Sequence, residues 1–367
     1  MDKSKKLKLE LTLCAVFLMG QTCLATADPI DLAGVAYVQY GDGQSYSLAS
    51  AIVNYCGGTQ SGCQFNVAST PGAIQDLIVV ATGSSGSGVT TNVAGMDNAY
   101  ATPNGTGQTF FSTNTALSPS VNPTVVNNNP GTWDSSLTAL STFLSGNNLV
   151  FFFNNNQVKS GGTSQESLAA WGQVSITDAA GKVIGVYDFT NQNQKYGLFT
   201  EGGGGTFMGS VASYTSSGIG NPIAGDNTHT DYVLSGGSIC SLAGVPTSCS
   251  NTHDSRIDNN LGADSAAYAV YFPELNAQLS GLFGSAADLS AFTLHVDFRI
   301  GCDPLTSPGN CTGNGESVPF GRDLNNGFEQ LFIGTAVKAA AIPEPGSLAL
   351  LGLGLMGLAA MNIRCRT

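Results

Sequence analysis

Apolar and polar residues alternate along several segments of this chain. From Phe292 to Ile300, five apolar residues occupy one face and four polar residues the other, which is the pattern of a half-buried strand. The segments Trp171–Ile176 and Val183–Phe189 alternate too, and the turn residues Asp178–Gly181 between them predict a hairpin. Further strands are predicted at Val35–Tyr40, Leu77–Ala81, Leu149–Phe153, Ala267–Phe272 and Gln330–Ile333.

Two segments have helical periodicity. Asp134 is predicted to cap a helix over Ser135–Ser145, and Pro273 precedes a second helix over Glu274–Phe283. Residues 82–131 are low in complexity and predict long loops or irregular strands. Many strands with few helices predict a mainly β fold, specifically an antiparallel β-sandwich or jelly roll with one or two short helices.

The N-terminus has the pattern of a secretory signal. Four lysines up to Lys8 precede the apolar run Leu11–Leu24, and Ala25-Thr26-Ala27 forms an A-x-A cleavage site before Asp28. A first transmembrane helix is the alternative, but the run is short for the hydrocarbon core of a bilayer. We therefore expect export through the Sec machinery, with cleavage between Ala27 and Asp28.

The C-terminus carries a second sorting pattern. Pro343-Glu344-Pro345 is followed by the apolar run Leu348–Ile363 and by Arg364 and Arg366. As a helix, its 16 residues extend about 24 Å, which is short for a lone transmembrane span. The arginines would hold the end of this helix at the cytoplasmic side.

This tail resembles that of the PEP-CTERM family of exosortase-dependent proteins. The resemblance implies recognition by an exosortase-like membrane enzyme, removal or replacement of the tail, and association with exopolysaccharide; it says nothing about the body. The expected organisation is a signal peptide (1–27), a β-rich extracellular body (28–340) and a sorting tail (341–367). A division of the body near residue 160 is an alternative. The C-terminal helix would hold the protein in the membrane only transiently.

The charge of the body limits its partners. Residues 28–340 contain seven Lys and Arg against 22 Asp and Glu, a net charge of −15. Nucleic-acid binding requires clustered cations to displace counterions, so nucleic acid is excluded as a partner. An acidic surface rich in small polar residues suits a protein that stays soluble outside the cell.

Six cysteines of the body form three close pairs, which are Cys56/Cys63, Cys240/Cys249 and Cys302/Cys311. An even number of cysteines in an exported chain predicts disulfides. A metal site would need closer thiol spacing or neighbouring histidines, and neither is present.

No catalytic motif is found in the body. The G-x-S-x-G elbow of serine hydrolases is absent, and His229, His253 and His295 lack zinc-binding spacing. His295 lies on the polar face of its predicted strand, as a solvent-exposed or cross-strand residue. The scattered acidic residues are interpreted as solvated surface, so no residue is assigned as catalytic.

One polar loop could hold calcium. Asp254, Asp258 and Asp264 offer oxygen ligands at short intervals, as Ca²⁺ prefers, but Arg256 opposes a cation and the EF-hand order is absent. An Asx-rich loop that caps its own backbone is the alternative. No other cofactor is expected.

These patterns predict an exported envelope or extracellular-matrix protein with a structural or adhesive role and no enzymatic activity. The alternatives are a secreted hydrolase acting on polysaccharide and a carbohydrate-binding module.

Overall fold

The computed structural model describes residues 28–35, 37–69, 78–83, 92–103, 110–114, 124–154, 167–168, 170–190, 206–208, 234–235, 239–243, 245–247, 252–257, 265–301, 324 and 329–337. The helices are α1 (Leu48–Cys56), α2 (Leu137–Leu144) and α3 (Pro273–Phe283). The strands are β1 (Tyr37–Tyr40), β2 (Gly43–Ser47), β3 (Ile78–Gly83), β4 (Tyr100–Thr102), β5 (Phe110–Ser112), β6 (Trp133–Ser136), β7 (Asn148–Asn154), β8 (Ser167–Leu168), β9 (Ala170–Thr177), β10 (Val183–Thr190), β11 (Thr206–Met208), β12 (Leu234–Ser235), β13 (Ile239–Leu242), β14 (Val245–Thr247), β15 (Ser255–Ile257), β16 (Tyr268–Tyr271), β17 (Thr293–Gly301) and β18 (Gln330–Ala336).

Two large sheets contain most of these strands. The first sheet has the order β11-β1-β2-β16-β7-β18-β3-β4, and the second has the order β10-β9-β17-β5 with β6 also paired to β17. Strands β12-β8 and β14-β13-β15 form two small sheets. Within the described strands all pairs are antiparallel except β3 with β4. The mainly β prediction is confirmed, while the expectation of wholly antiparallel pairing is wrong at that one pair.

Every strand predicted from alternation overlaps an observed strand. The predicted hairpin is β9–β10, and Gly181 adopts φ +75° in its turn. The turn is closed by the Asp178 N–H, which donates to the Lys182 carbonyl at 3.0 Å. Glycine takes this left-handed conformation without steric cost, so the turn residues set the register of the hairpin.

A shared apolar core joins the two large sheets. Alternate residues of β7 and of β17 point into one cluster of buried side chains, including Phe151, Phe153, Val296 and Phe298. The rings of Phe153 and Phe298 lie with centroids 5.4 Å apart across the two sheets. Period-two alternation therefore gives each sheet one apolar face, and the two apolar faces are buried by packing against each other.

The opposite face of the first sheet carries a second cluster of buried side chains, to which α1 contributes. This helix was not predicted, because the six buried residues from Leu48 to Val53 form a short, mostly apolar run directly after β2, which does not distinguish a helix from a strand. The caps are Ser47, whose hydroxyl accepts from the Ser50 N–H, and Gly57 at φ +60°. After α1, Cys56 forms a disulfide with Cys63 across a Cα–Cα distance of 6.0 Å, one of the three predicted pairs.

Helix α2 is shorter than predicted, and its cap differs. Ser136 is the N-cap, with its hydroxyl accepting from the Ala139 N–H, so the assignment of Asp134 as the cap is wrong. Asp134 lies instead inside strand β6. Helix α3 begins at Pro273, one residue before its predicted start, and within it the Asn276 side chain bonds both the N–H and the carbonyl of Leu149.

The low-complexity segment contributes an ordered strand to each large sheet, namely β4 and β5. Between β3 and β4, the side-chain amide of Asn92 bonds the backbone of Val79 in the way that a neighbouring strand would. Its oxygen accepts from the Val79 N–H at 3.2 Å, and its nitrogen donates to the Val79 carbonyl at 2.8 Å. Val79 thereby has both backbone groups satisfied at a place where none of the described strands pairs with it on that side.

Candidate functional site

The outer face of the second sheet, which points away from the shared core, carries the candidate site. In β17, Leu294 and Val296 point into the core, so His295 between them points outward. Strand β6 places Asp134 directly opposite His295. On the other side of β17, Thr177 at the end of β9 is paired with Thr293, which lies two residues before His295 on the same face of the sheet. Three neighbouring strands therefore bring Asp134, His295 and Thr177 together.

These residues form a continuous set of hydrogen bonds, called here the Asp–His–Thr chain. His295 Nδ1 lies 2.8 Å from Asp134 Oδ1, and His295 Nε2 lies 2.8 Å from Thr177 Oγ1. The exposed fractions are 0% for Asp134, 6% for His295 and 8% for Thr177. An ionised carboxylate only accepts hydrogen bonds, so Nδ1 carries the proton and Nε2 of a neutral ring accepts from the Thr177 hydroxyl.

Asp134 is held as a hydrogen-bond acceptor from several sides. Its carboxylate also accepts from the Thr132 hydroxyl and from the Asn129 backbone N–H. Its own backbone N–H donates to the carboxylate of Asp97 at 3.0 Å. Buried carboxylates are tolerated when they are bonded in this way, so Asp134 is fixed in one orientation toward His295.

A single loop layer covers the Asp–His–Thr chain. The Thr293 hydroxyl donates to the carbonyl of Val126, and the Asn127 amide donates to the carbonyl of Asp178 at 2.8 Å. Val126 itself is 39% exposed. Thr177 is thus almost fully enclosed, at 8% exposure, and Asp134 lies deeper, at 0%.

The structure revises several sequence-based interpretations of charged residues. His295 is a cross-strand residue, but the expectation of solvent exposure is wrong because the loop 124–132 covers it. Asp97, Asp134 and Glu329 are buried, although acidic side chains were predicted to be solvated. Alternation identified the face of His295, but the residues that cover it lie more than 160 positions away in sequence.

The remaining predicted histidine and calcium residues are not brought together within the described part of the chain. His253 is exposed, and His229 lies outside the described residues. The Asp254 carboxylate accepts from the Ala243 N–H at 2.8 Å, whereas Asp258 and Asp264 lie outside the described residues. The described residues contain no group of three or more metal-ligating side chains.

Other predicted site residues also fall outside the described residues. These are the signal residues Ala25 and Ala27, the sorting residues Pro343, Glu344, Pro345, Arg364 and Arg366, and Cys249, Cys302 and Cys311. Cys240 lies on β13, opposite Thr247 of β14. Among the described helices, none is long and apolar enough to cross a membrane.

These features define an acidic, mainly β domain whose two large sheets share a core. The Asp–His–Thr chain lies on the outer face of the second sheet, beneath a loop. Residues 29–299 of the protein match the model of the family described as "Domain of unknown function (DUF8239)", and the chain belongs to this family. Residues 341–364 match the PEP-CTERM protein-sorting motif, which confirms the resemblance drawn from the tail. No curated protein and no solved structure matches the chain.

Proposed function

We propose that this protein is a structural or adhesive component of the cell envelope or extracellular matrix, associated with exopolysaccharide and without enzymatic activity. The observation that carries the proposal is the PEP-CTERM motif at residues 341–364. This motif implies export and processing by an exosortase-like membrane enzyme. Sec-dependent export and transient retention by the C-terminal helix complete the proposed route.

The body suits that role on physical grounds. We interpret its two large sheets as a β-sandwich, a scaffold that presents loops and outer sheet faces to partners. The net charge of −15 between residues 28 and 340 favours solubility and opposes self-association. The Cys56–Cys63 disulfide suits an oxidising compartment.

The sorting part is tested by changing Pro343, Glu344 and Pro345 to alanine in the native host. An unprocessed precursor should accumulate in the membrane fraction, whereas a triple substitution at exposed residues of the body should be processed normally. Normal release of the motif variant would refute exosortase-dependent handling.

The structural or adhesive part is tested by incubating the released protein with exopolysaccharide from its host. Binding without any cleaved product supports the proposal. Absence of binding at physiological salt would refute the proposed association with exopolysaccharide but would not affect the proposed sorting route.

A secreted polysaccharide-active hydrolase is the second candidate function. The Asp–His–Thr chain favours it, because a hydroxyl bonded to a histidine that an aspartate orients is a recurring arrangement for nucleophilic catalysis. Product release from polysaccharide, rather than binding alone, distinguishes this candidate from the first.

A further inference from the structure

We propose that Thr177 is a nucleophile activated by His295, and that this site cleaves small acyl esters carried by polysaccharide. The inference rests on the second candidate function and specifies its chemistry. It follows from the contacts of three side chains and from what surrounds the outermost of them.

The hydrogen bonds assign a distinct role to each side chain. Asp134 accepts the Nδ1 proton of His295 and holds the ring in one tautomer. The Nε2 lone pair then faces Thr177 Oγ1 at 2.8 Å, within reach for removing the hydroxyl proton. Thr177 and His295 are the catalytic residues, and Asp134, at 0% exposure, is a positioning residue that never meets substrate.

These side chains can carry out ester hydrolysis in two steps, which are acylation of Thr177 and hydrolysis of the acyl-threonine. Thr177 Oγ attacks the acyl carbon while its proton moves to His295 Nε2. The ester C–O bond breaks as the same proton moves to the departing oxygen, which leaves as an alcohol. Water then attacks the acyl-threonine with His295 as base, releasing a carboxylic acid and restoring the hydroxyl.

Glycosidic cleavage fits the same residues poorly. That reaction requires two carboxyl groups facing each other across the sugar. Asp134 is fully buried, and the Asp97 carboxylate is occupied by the Asp134 N–H at 3.0 Å and by the Asn128 amide at 2.8 Å. The least buried member of the Asp–His–Thr chain is Thr177, at 8% exposure, and its reacting group is a hydroxyl, so the supported chemistry is ester cleavage.

The surroundings of Thr177 indicate a small acyl group. Val183 is its neighbour on β10 and is half exposed. On the other side its neighbour is Thr293, whose hydroxyl bonds the carbonyl of the partly exposed Val126. Val183 thus offers apolar contact beside Thr177 to a short chain such as acetyl, while the alcohol portion stays in solvent.

The test uses the processed full-length protein and p-nitrophenyl acetate. Acid quenching followed by peptide mass spectrometry should find acetyl on Thr177. Thr177→Val removes the hydroxyl at nearly constant volume, and we expect hydrolysis to fall by about 10²–10⁴-fold. Thr177→Ser should retain both the adduct and turnover.

Thr113→Val is the matched control, because Thr113 is also a buried threonine bonded to the outer face of β17, through Asp297, and should keep full activity. Folding of each variant is checked by its thermal melt. Equal hydrolysis by folded wild type and Thr177→Val, or no acetyl on Thr177 of the wild type, would overturn the assignment.

A separate assay tests whether the substrate is a polysaccharide. Acetate release from an O-acetylated polysaccharide supports the substrate class, whereas turnover of p-nitrophenyl acetate alone would overturn it. Thr177→Val should be exported and processed like wild type, so failure of the sorting proposal is observed separately.

Discussion

Gly172 marks a position where one methyl group should stabilise the protein. On β9 it lies between Phe189 of β10 and Phe298 of β17, both directed into the shared core. A Cβ built on Gly172 meets only the Asp297 carbonyl oxygen, at 3.8 Å. A cavity of about 20 Å³ lies between the sheets at this point, lined by Gly172 and by aromatic and aliphatic side chains.

The expected gain for Gly172→Ala has two parts. Replacing glycine in a strand interior reduces the conformational entropy of the unfolded chain, which contributes about 0.5–1 kcal/mol. Burying one methyl group contributes up to about 0.8 kcal/mol. Together they raise the free energy of unfolding by about 1–2 kcal/mol, equivalent to a few degrees in Tm for a domain of this size.

Urea unfolding followed by tryptophan fluorescence measures the change through the midpoint at constant m-value. Gly43→Ala is the matched control, because its Cβ would lie 2.6 Å from Cδ2 of the same Phe189. Overpacking of that kind costs about 1–3 kcal/mol. The reasoning is refuted if Gly172→Ala lowers the midpoint, or if both variants shift it in the same direction.

Three further predictions concern stability. Ser136→Ala should cost about 1 kcal/mol in urea unfolding by removing the acceptor of the Ala139 N–H; an unchanged midpoint would contradict the cap. Replacing Cys56 and Cys63 together by serine should lower the free energy of unfolding by about 2.5 kcal/mol in the chain-entropy model, measured without reductant. An unchanged free energy of unfolding would contradict stabilisation through restriction of the unfolded chain. Burial raises the pKa of Tyr46, so stability present below the ordinary tyrosine pKa of about 10 is lost as pH rises further; Tyr46→Phe should flatten this alkaline loss in melts across pH 8–12, and an unchanged slope would contradict it.

The fold could be predicted in part because alternation is a local property. The pattern in β17 and in the β9–β10 hairpin reports which residues face a core, whatever that core contains. Helix α1 was not predicted because its short, mostly apolar run from Leu48 to Val53 continues directly from β2, and a run of that length does not distinguish a helix from a strand. Only its ends, Ser47 and Gly57, carry a helical signal.

The candidate site was harder to predict because its members are distant in sequence. Asp134 precedes a helix and has the side chain of a cap, so local rules assigned it that role. Its actual position depends on the pairing of β6 with β17, which no local pattern specifies. Thr177 gave no signal, since a threonine at the end of a strand is ordinary. The Asp–His–Thr chain follows from strand pairing and a covering loop.

The Asn92 side chain has a consequence for how the protein behaves when it is concentrated at a surface. An unpaired N–H and carbonyl at a sheet margin can recruit a strand from another molecule and start aggregation. By bonding both groups of Val79, one amide closes the margin of β3 where the short strand β4 does not reach. When molecules are crowded at the envelope, Val79 therefore does not offer these two groups to a strand of another molecule.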